Sequence, residues 1–67
     1  MTIRCIIDFK MEDGERVFTA GNTYLLLGKP YELGSLMHYR TINDNGEEHT
    51  LPQYDIDRYF AQYKEAQ

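Results

Sequence analysis

The stretch that decides the fold is His38 to Pro52, HYRTINDNGEEHTLP, which predicts two antiparallel strands joined by a tight turn. Asn45-Gly46 favours a two-residue hairpin turn, because both residues tolerate positive φ. The longer frame from Asn43 to Gly46 equally suits a type I turn followed by a glycine in the left-handed region. The two turns shift the strand register by about one residue, and the sequence does not distinguish them.

The N-terminal segment predicts a strand followed by an acidic turn. Residues 3–9 alternate between two faces, and one face carries Ile3, Cys5, Ile7 and Phe9. The next segment, Met11 to Glu15, is polar and contains the turn dipeptide Asp13-Gly14. Its three carboxylates are Glu12, Asp13 and Glu15. They are typical of a solvated loop, and they also form an acidic patch suited to a basic partner.

Two further segments lie between the acidic turn and the hairpin. Thr23 to Leu27, TYLLL, is rich in β-formers and predicts a central buried strand. Gly28 to Ser35 contains two glycines and Pro30, and it predicts an exposed loop. Tyr31 and Leu33 in this loop either fold back onto the core or face a partner.

The C-terminal segment changes from the period of a strand to that of a helix. One stripe of a helix, at i, i+3, i+4 and i+7, is formed by Ile56, Tyr59, Phe60 and Tyr63. Asp55 is a suitable N-cap, so the sequence predicts a C-terminal helix over residues 55–65. A helix of about ten residues is marginal alone and must bury its apolar stripe. The stripe either packs on its own domain or joins two copies in a homodimer, through Tyr59, Phe60 and Tyr63.

Length, charge and cysteine content narrow the class of protein. The 67 residues predict one domain, and the net charge is −4. A negative domain repels phosphate backbones, so binding to free nucleic acid is not expected. The lone Cys5 excludes an internal disulfide, and no stretch has the pattern of a signal peptide or a membrane span. These features predict a cytoplasmic protein that does not engage a membrane.

No residue pattern points to catalysis, a cofactor or a metal ion. His38 and His49 lie on opposite arms of the hairpin, and a turn at Asn45-Gly46 places His49 opposite Ile42. A shared metal site needs its ligands within about 2 Å of one ion, and this spacing does not support one. The sequence contains no glycine-rich phosphate loop, nucleophile elbow or Cys-x-x-Cys pair, so it predicts a non-catalytic protein without a cofactor.

The order of these features resembles that of a known family of small β-barrels. The chain has a first strand CIIDF at 5–9, an acidic loop, the segment VFTAGNTYL at 17–25, the hairpin, and a Leu51-Pro52 step into a helical turn. Over most of residues 3–54 this order resembles the Src-homology-3 (SH3) pattern. The resemblance implies a mainly β fold, with residues 1–67 as one five-stranded antiparallel SH3-like barrel that carries a short C-terminal helix.

The residues with which SH3 domains bind proline-rich peptides are mostly different in this chain. Ile7 and Phe9 replace the two tyrosines of the first-strand motif, and Met37 to Tyr39 occupy the position of the binding tryptophan. Pro52 matches directly, whereas Tyr54 lies one residue away from the family tyrosine. The resemblance therefore implies the barrel more than it implies a proline-rich ligand.

The chain is also similar to small barrel proteins encoded by bacteriophages and prophages. The shared elements are Cys5-Ile6, the turn GNTY at 21–24 and the hairpin NDNGEE at 43–48. This resemblance implies an accessory protein that binds or inhibits a protein of its bacterial host, in the host cytoplasm.

We therefore expect a binding module whose contact surface combines carboxylates with tyrosines, which are enriched at interfaces. The expected contact residues are Glu12, Asp13, Glu15, Tyr31, Tyr39, Glu47 and Glu48. One alternative is an oligomer that sequesters a nucleotide-type ligand between subunits, for which four cations would have to converge: Arg4, Arg16, Lys29 and Arg40. The other alternative is a small barrel that binds nucleic acid, against which the net charge argues.

Overall fold

The chain folds into short strands and one helix, in a computed structural model that describes residues 1–63 and the side chains of residues 1–61. The strands are β1 (Thr2–Cys5), β2 (Phe9–Lys10), β3 (Arg16–Phe18), β4 (Thr23–Leu25), β5 (Tyr31–Leu33), β6 (Leu36–Ile42), β7 (Glu48–Pro52) and β8 (Phe60–Tyr63). Helix α1 (Gln53–Tyr59) lies between β7 and β8. The strands form three antiparallel sheets, with the orders β4-β1-β8, β2-β3 and β5-β6-β7. The predicted mainly β class is confirmed.

The expected five-stranded closed barrel is wrong in strand number and in closure. Eight strands are described, and their three small sheets are separate. The extra strands have three origins. β5 arises in a segment predicted as a loop and pairs with β6, β2 is the end of the strand predicted over residues 3–9 and pairs with β3 around the acidic turn, and β8 lies in the predicted helix. An isolated bridge between Leu26 and Thr41 connects the end of β4 to β6. Strands β2 to β5 are only two or three residues long, too short to continue from one sheet into the next.

The hairpin predicted around the Asn-Gly turn is confirmed, and its turn is the longer of the two frames. The backbone N–H of Gly46 donates to the carbonyl oxygen of Asn43 at 3.0 Å. Gly46 has a φ of 79°, which glycine adopts without strain, and no non-glycine residue described has a positive φ. In this register His49 faces Thr41, and not Ile42, which would have been its partner with the two-residue turn.

The C-terminal helix predicted over residues 55–65 is wrong at both ends. Helix α1 begins directly after Pro52, so Asp55 lies in its first turn instead of capping it. Phe60 has extended backbone angles, with φ −129° and ψ 149°, and it starts strand β8. Strand β8 pairs with β1, whose free edge would otherwise expose unpaired backbone groups. Residues 64 and 65 lie outside the described residues.

The strand predicted over residues 3–9 is interrupted after Cys5. Ile6 and Ile7 lie between β1 and β2. Ile7 is 52% exposed, whereas Ile3, which was predicted to share a strand face with it, is buried. The N–H of Ile6 donates to the carbonyl oxygen of Tyr59 at 2.7 Å, which holds the chain where it leaves the sheet. Cys5 itself is fully buried, and this burial raises the pKa of its thiol.

The hydrophobic core is centred on Phe18, which has no solvent exposure. Four rings make edge contacts with it, at centroid distances from 4.9 to 5.8 Å: Phe9, Tyr24, His49 and Phe60. Ile3, Cys5, Val17, Leu26, Tyr39, Leu51 and Ile56 complete the core. These residues come from most of the strands and from α1, so the core joins the three sheets. Burial of each large side chain contributes about 1.5–3 kcal/mol of transfer free energy.

Candidate protein-binding cleft

An open cleft of about 290 Å³ lies between the β2–β3 turn and the β6–β7 turn. Four of the predicted contact residues line it: Asp13 and Glu15 from the β2–β3 turn, Glu47 from the β6–β7 turn, and Glu48 from the start of β7. All four residues are exposed, so their carboxylates give the cleft a negative potential. Glu12 lies in the same turn as Asp13 but is not among the residues that line the cleft. The fold therefore brings together most of the acidic residues expected to act as one surface.

The β2–β3 turn is held in shape by its own hydrogen bonds. The N–H of Glu15 donates to Oδ1 of Asp13 at 2.8 Å. The N–H of Gly14 donates to the carbonyl oxygen of Met11 at 2.9 Å. The N–H of Met11 donates in turn to the carbonyl oxygen of Glu15 at 2.8 Å. Asp13 and Glu15 are thus carried on a closed turn and not on a loose loop.

The β6–β7 turn is fastened to β3 and β4 through Asp44. Its carboxylate accepts the hydroxyl of Thr19 at 2.7 Å and the hydroxyl of Tyr24 at 2.6 Å. Its backbone N–H donates to the carbonyl oxygen of Val17 at 2.9 Å. Burial and the hydrogen bond to Asp44 raise the pKa of Tyr24, so its hydroxyl remains a donor at neutral pH. These contacts set the separation of the two walls of the cleft.

A second contact joins the turns across the cleft. Nδ2 of Asn45 donates to Oε1 of Glu15 at 2.6 Å. The side chain of Asn43 supports the turn beneath, because its Oδ1 accepts the N–H groups of Asn45 and Glu47 at 2.9 and 3.1 Å. Nδ2 of Asn43 lies 3.3 Å from Nδ1 of His49, which also lines the cleft. Every polar group of Asn43 is therefore used to shape the turn.

The four cations considered for a nucleotide site are spread over the fold. Arg16 forms an ion pair with Asp8, with 3.5 Å between Nη1 and Oδ2. Arg40 forms one with Glu48, with 3.5 Å between Nη1 and Oε1, so one cleft carboxylate is partly neutralised. Arg4, Arg16 and Arg40 lie on three different sheets, and Lys29 lies in the segment before β5. The guanidinium of Arg40 approaches the residue before Lys29, because its Nη2 lies 3.1 Å from the position that a Cβ of Gly28 would occupy.

The two predicted contact tyrosines are not part of the cleft. Tyr39 belongs to the core, where its hydroxyl donates to Oε1 of Gln53 at 2.6 Å. Tyr31 is 42% exposed and stacks on His38 with 5.5 Å between ring centroids. His38 lies four residues from the turn end of β6, about 13 Å along the strand at the usual rise per residue. Tyr31 and Leu33 do not fold back onto the core, since both side chains are exposed.

Two of the three residues predicted as an oligomer interface, Tyr59 and Phe60, pack within their own domain. Phe60 is buried against Phe18, with 5.2 Å between ring centroids, which leaves it inaccessible to a second copy. Tyr59 is partly buried against Phe9 at 4.3 Å. The side chain of Tyr63 lies outside the described residues.

Four cleft residues were absent from the predicted contacts: Met11, Val17, Asn43 and His49. They meet because two hairpins touch that are far apart in the chain; Glu15 and Asn45, for example, are 30 positions apart. No local pattern in the sequence reports a contact of that separation. The turn pattern of the hairpin could have indicated Asn43, whereas Met11 and Val17 have no feature in the sequence beyond their hydrophobicity that indicates a cleft.

The interpretation of the cleft depends on its own geometry and chemistry. No protein-family model, curated protein or solved structure matches the chain. Within residues 1–63, no helix is long and apolar enough to cross a membrane. Across the same residues, no group of three or more histidine, cysteine, aspartate or glutamate side chains is arranged to hold a metal ion.

Proposed function

We propose that this protein is a non-catalytic binding module that takes a basic segment of another protein into the cleft between its two hairpins. The observation that carries the proposal is the convergence of Asp13, Glu15, Glu47 and Glu48 on one open cleft. Several carboxylates that line one open cleft give it a negative potential, and a cationic partner complements that potential. A basic partner is therefore the ligand class that best complements this surface.

The apolar part of the cleft also suits lysine or arginine. Met11 is 45% exposed and lines the cleft beside the carboxylates, above the buried Val17. The side chains of lysine and arginine have an apolar stem and a charged tip, so one residue can contact both kinds of surface. A guanidinium group can in addition form paired hydrogen bonds with a carboxylate. Nucleic acid has the opposite charge requirement and is disfavoured by the net charge of −4.

The class of partner that we propose is supported by the resemblances in the sequence. The likeness to small phage-encoded proteins supports an accessory protein that binds or inhibits a protein of a bacterial host, in the host cytoplasm. The SH3-like resemblance is carried by the order of motifs in the sequence, in which an acidic loop follows the first strand. In that arrangement the β2–β3 turn takes the place of the acidic loop of SH3 domains.

The proposal is tested by removing two cleft charges and measuring the affinity for a basic partner. The partner is first captured from a bacterial lysate with the unmodified protein, then purified and titrated. The variant Asp13→Asn with Glu47→Gln keeps the size of both side chains and the acceptor oxygen of residue 13. We expect about a tenfold weaker Kd, because each exposed charge pair contributes about 0.2–1 kcal/mol. Added salt should also weaken binding of the partner to the unmodified protein, because it screens the charges of the cleft.

A matched control changes net charge equally but away from the cleft. Glu32→Gln with Asp57→Asn removes two exposed carboxylates, one on β5 and one on α1, neither of which lines the cleft. We expect its affinity to remain close to that of the unmodified protein. Equal losses for the two double variants would show that only overall charge matters, and the assignment of the cleft would be abandoned.

A further inference from the structure

The turn at Asn45-Gly46 combines two features that favour a spontaneous change of the asparagine. The chain has three asparagines, and only Asn45 is followed by glycine. Asparagine deamidates when the next backbone nitrogen attacks the side-chain amide carbon, and a side chain on that next residue hinders the attack. Gly46 has no side chain, and both residues are exposed to water. Asn45 is therefore the asparagine whose sequence context is most reactive.

The folded turn leaves this reaction accessible. No heavy atom lies within 4 Å of the position that a Cβ of Gly46 would occupy, so the surroundings leave the turn room to change shape. The attacking nitrogen of Gly46 is engaged in one hydrogen bond, to the carbonyl oxygen of Asn43 at 3.0 Å. Hydrogen bonds in exposed turns open by local fluctuation at low free-energy cost.

We propose that Asn45 is a deamidation site, and that its conversion releases the contact that joins the two hairpins across the cleft. Hydroxide or another solvent base first takes the backbone proton of Gly46, and the nitrogen forms a bond to Cγ of Asn45. The bond from Cγ to Nδ2 then breaks, and the nitrogen leaves as ammonia after taking a proton from water. Water opens the resulting cyclic imide at either carbonyl, which yields aspartate or isoaspartate at position 45.

The reaction reverses the character of the contact with Glu15. Nδ2 of Asn45 is a donor to Oε1 of Glu15 at 2.6 Å, and the product replaces it with a second carboxylate. Two carboxylates at that distance repel each other, so the hydrogen bond becomes an unfavourable contact. Isoaspartate also inserts a carbon into the main chain of the turn, which disrupts the hydrogen bond from Gly46 to Asn43. Any effect of deamidation on the affinity for a basic partner rests on the proposed function, whereas the chemistry of the turn does not.

The other two asparagines are internal controls: Asn22 for the residue that follows the asparagine, and Asn43 for exposure to water. Asn22 is exposed but is followed by Thr23, whose branched side chain hinders attack. Asn43 is buried, and its amide is engaged with the backbone of the turn and with His49. We expect both to remain unchanged in the folded protein while Asn45 reacts.

The test follows the unmodified protein at neutral pH and physiological temperature by peptide mapping with mass spectrometry. A parallel sample in concentrated urea reports the rate in the unfolded chain. We expect aspartate and isoaspartate at position 45 in the folded sample, with the other asparagines intact. Conversion of Asn45 in urea but not in the folded protein would overturn the proposal, because the turn would then protect the site. Conversion of Asn22 before Asn45 would overturn it as well.

A pair of variants tests the consequence for the contact without waiting for the reaction. Asn45→Asp introduces one product directly, and we expect a lower urea midpoint than for the unmodified protein. Adding Glu15→Gln exchanges donor and acceptor, since the new amide can donate to the new carboxylate, and we expect the midpoint to recover. An unchanged midpoint for Asn45→Asp would show that deamidation does not release the contact. No partner is needed, so this result is independent of the proposed function.

Discussion

Asp44 joins the two hairpins through both its carboxylate and its backbone. The carboxylate accepts the hydroxyl groups of Thr19 and Tyr24, and the N–H donates to β3. We predict that Asp44→Ala lowers the free energy of unfolding by about 2 kcal/mol, because hydrogen bonds to a charged group contribute about 1.5–3 kcal/mol and this site is partly exposed. Urea denaturation measures the change. A loss of that size is a large part of the stability of a domain of 67 residues.

The amide variant of the same residue serves as the control for shape. Asp44→Asn keeps one acceptor oxygen in place and replaces the other with an NH2 group. We expect it to lose about half as much stability as Asp44→Ala, since a neutral hydrogen bond contributes about 1 kcal/mol. An alanine variant as stable as the unmodified protein would show that the hairpins are held together by packing alone.

The segment after Tyr59 is a strand although its sequence has the period of a helix. Ala61 lies in β8, exposed and opposite Arg4 of β1. We predict that Ala61→Val keeps or slightly raises stability, because β-branched residues favour strands on a scale that spans about 1 kcal/mol. In a helix the same change would cost about 0.5 kcal/mol. The urea midpoint distinguishes the two, and a clear decrease would argue for the helix.

The contrast between β8 and the β6–β7 hairpin has a physical cause. The hairpin depends on turn chemistry within a few residues, and the Asn-Gly signal reports it directly. The choice between strand and helix at Phe60 depends on β1, whose backbone groups need partners along its second edge. A helical stripe of four residues does not predict this pairing, because β1 lies more than fifty positions away in the chain.

Stability of the whole domain should respond to acid through two aspartates with opposite shifts. The hydrogen bond from the N–H of Ala20, with help from Arg16, holds the pKa of Asp8 below its ordinary value. Burial holds the pKa of Asp55 above its ordinary value, despite Arg58 and His49 nearby. Asp8 therefore contributes stability above its unfolded pKa of about 3.9, and that contribution is lost as pH falls through the folded value. Asp55 has the opposite sign, because its burial destabilises the charged form at neutral pH.

Two amide variants make this dependence measurable. We predict that Asp8→Asn is less stable than the unmodified protein at neutral pH, and that the difference shrinks at about pH 3. For Asp55→Asn the sign is reversed, so its stability relative to the unmodified protein is higher at neutral pH than in acid. Urea midpoints at the two pH values provide the comparison. A difference for Asp8→Asn that does not vary with pH would contradict the assigned shift.

The sequence predicts most of the acidic residues of the candidate cleft, but it does not predict that two separate turns meet to form it. The acidic residues were recognised individually, since clusters of charge at turns are a local property. Tyr39 was placed on the same surface, and it lies in the core because alternate residues of β6 face inward. Tyr31 is exposed but lies at the other end of the sheet, which only the register of β5 against β6 establishes.

Local patterns in the sequence were sufficient for the mainly β class, the central hairpin and the acidic character of two turns, because each depends on neighbouring residues. Contacts between distant segments decided the rest: the number of sheets, the strand at the C-terminal end and the meeting of two acidic turns around one cleft. Those outcomes depend on backbone groups and side chains that find partners far along the chain. Asp44 shows the difference most clearly, because as a turn residue it is ordinary, whereas in the fold it joins two hairpins.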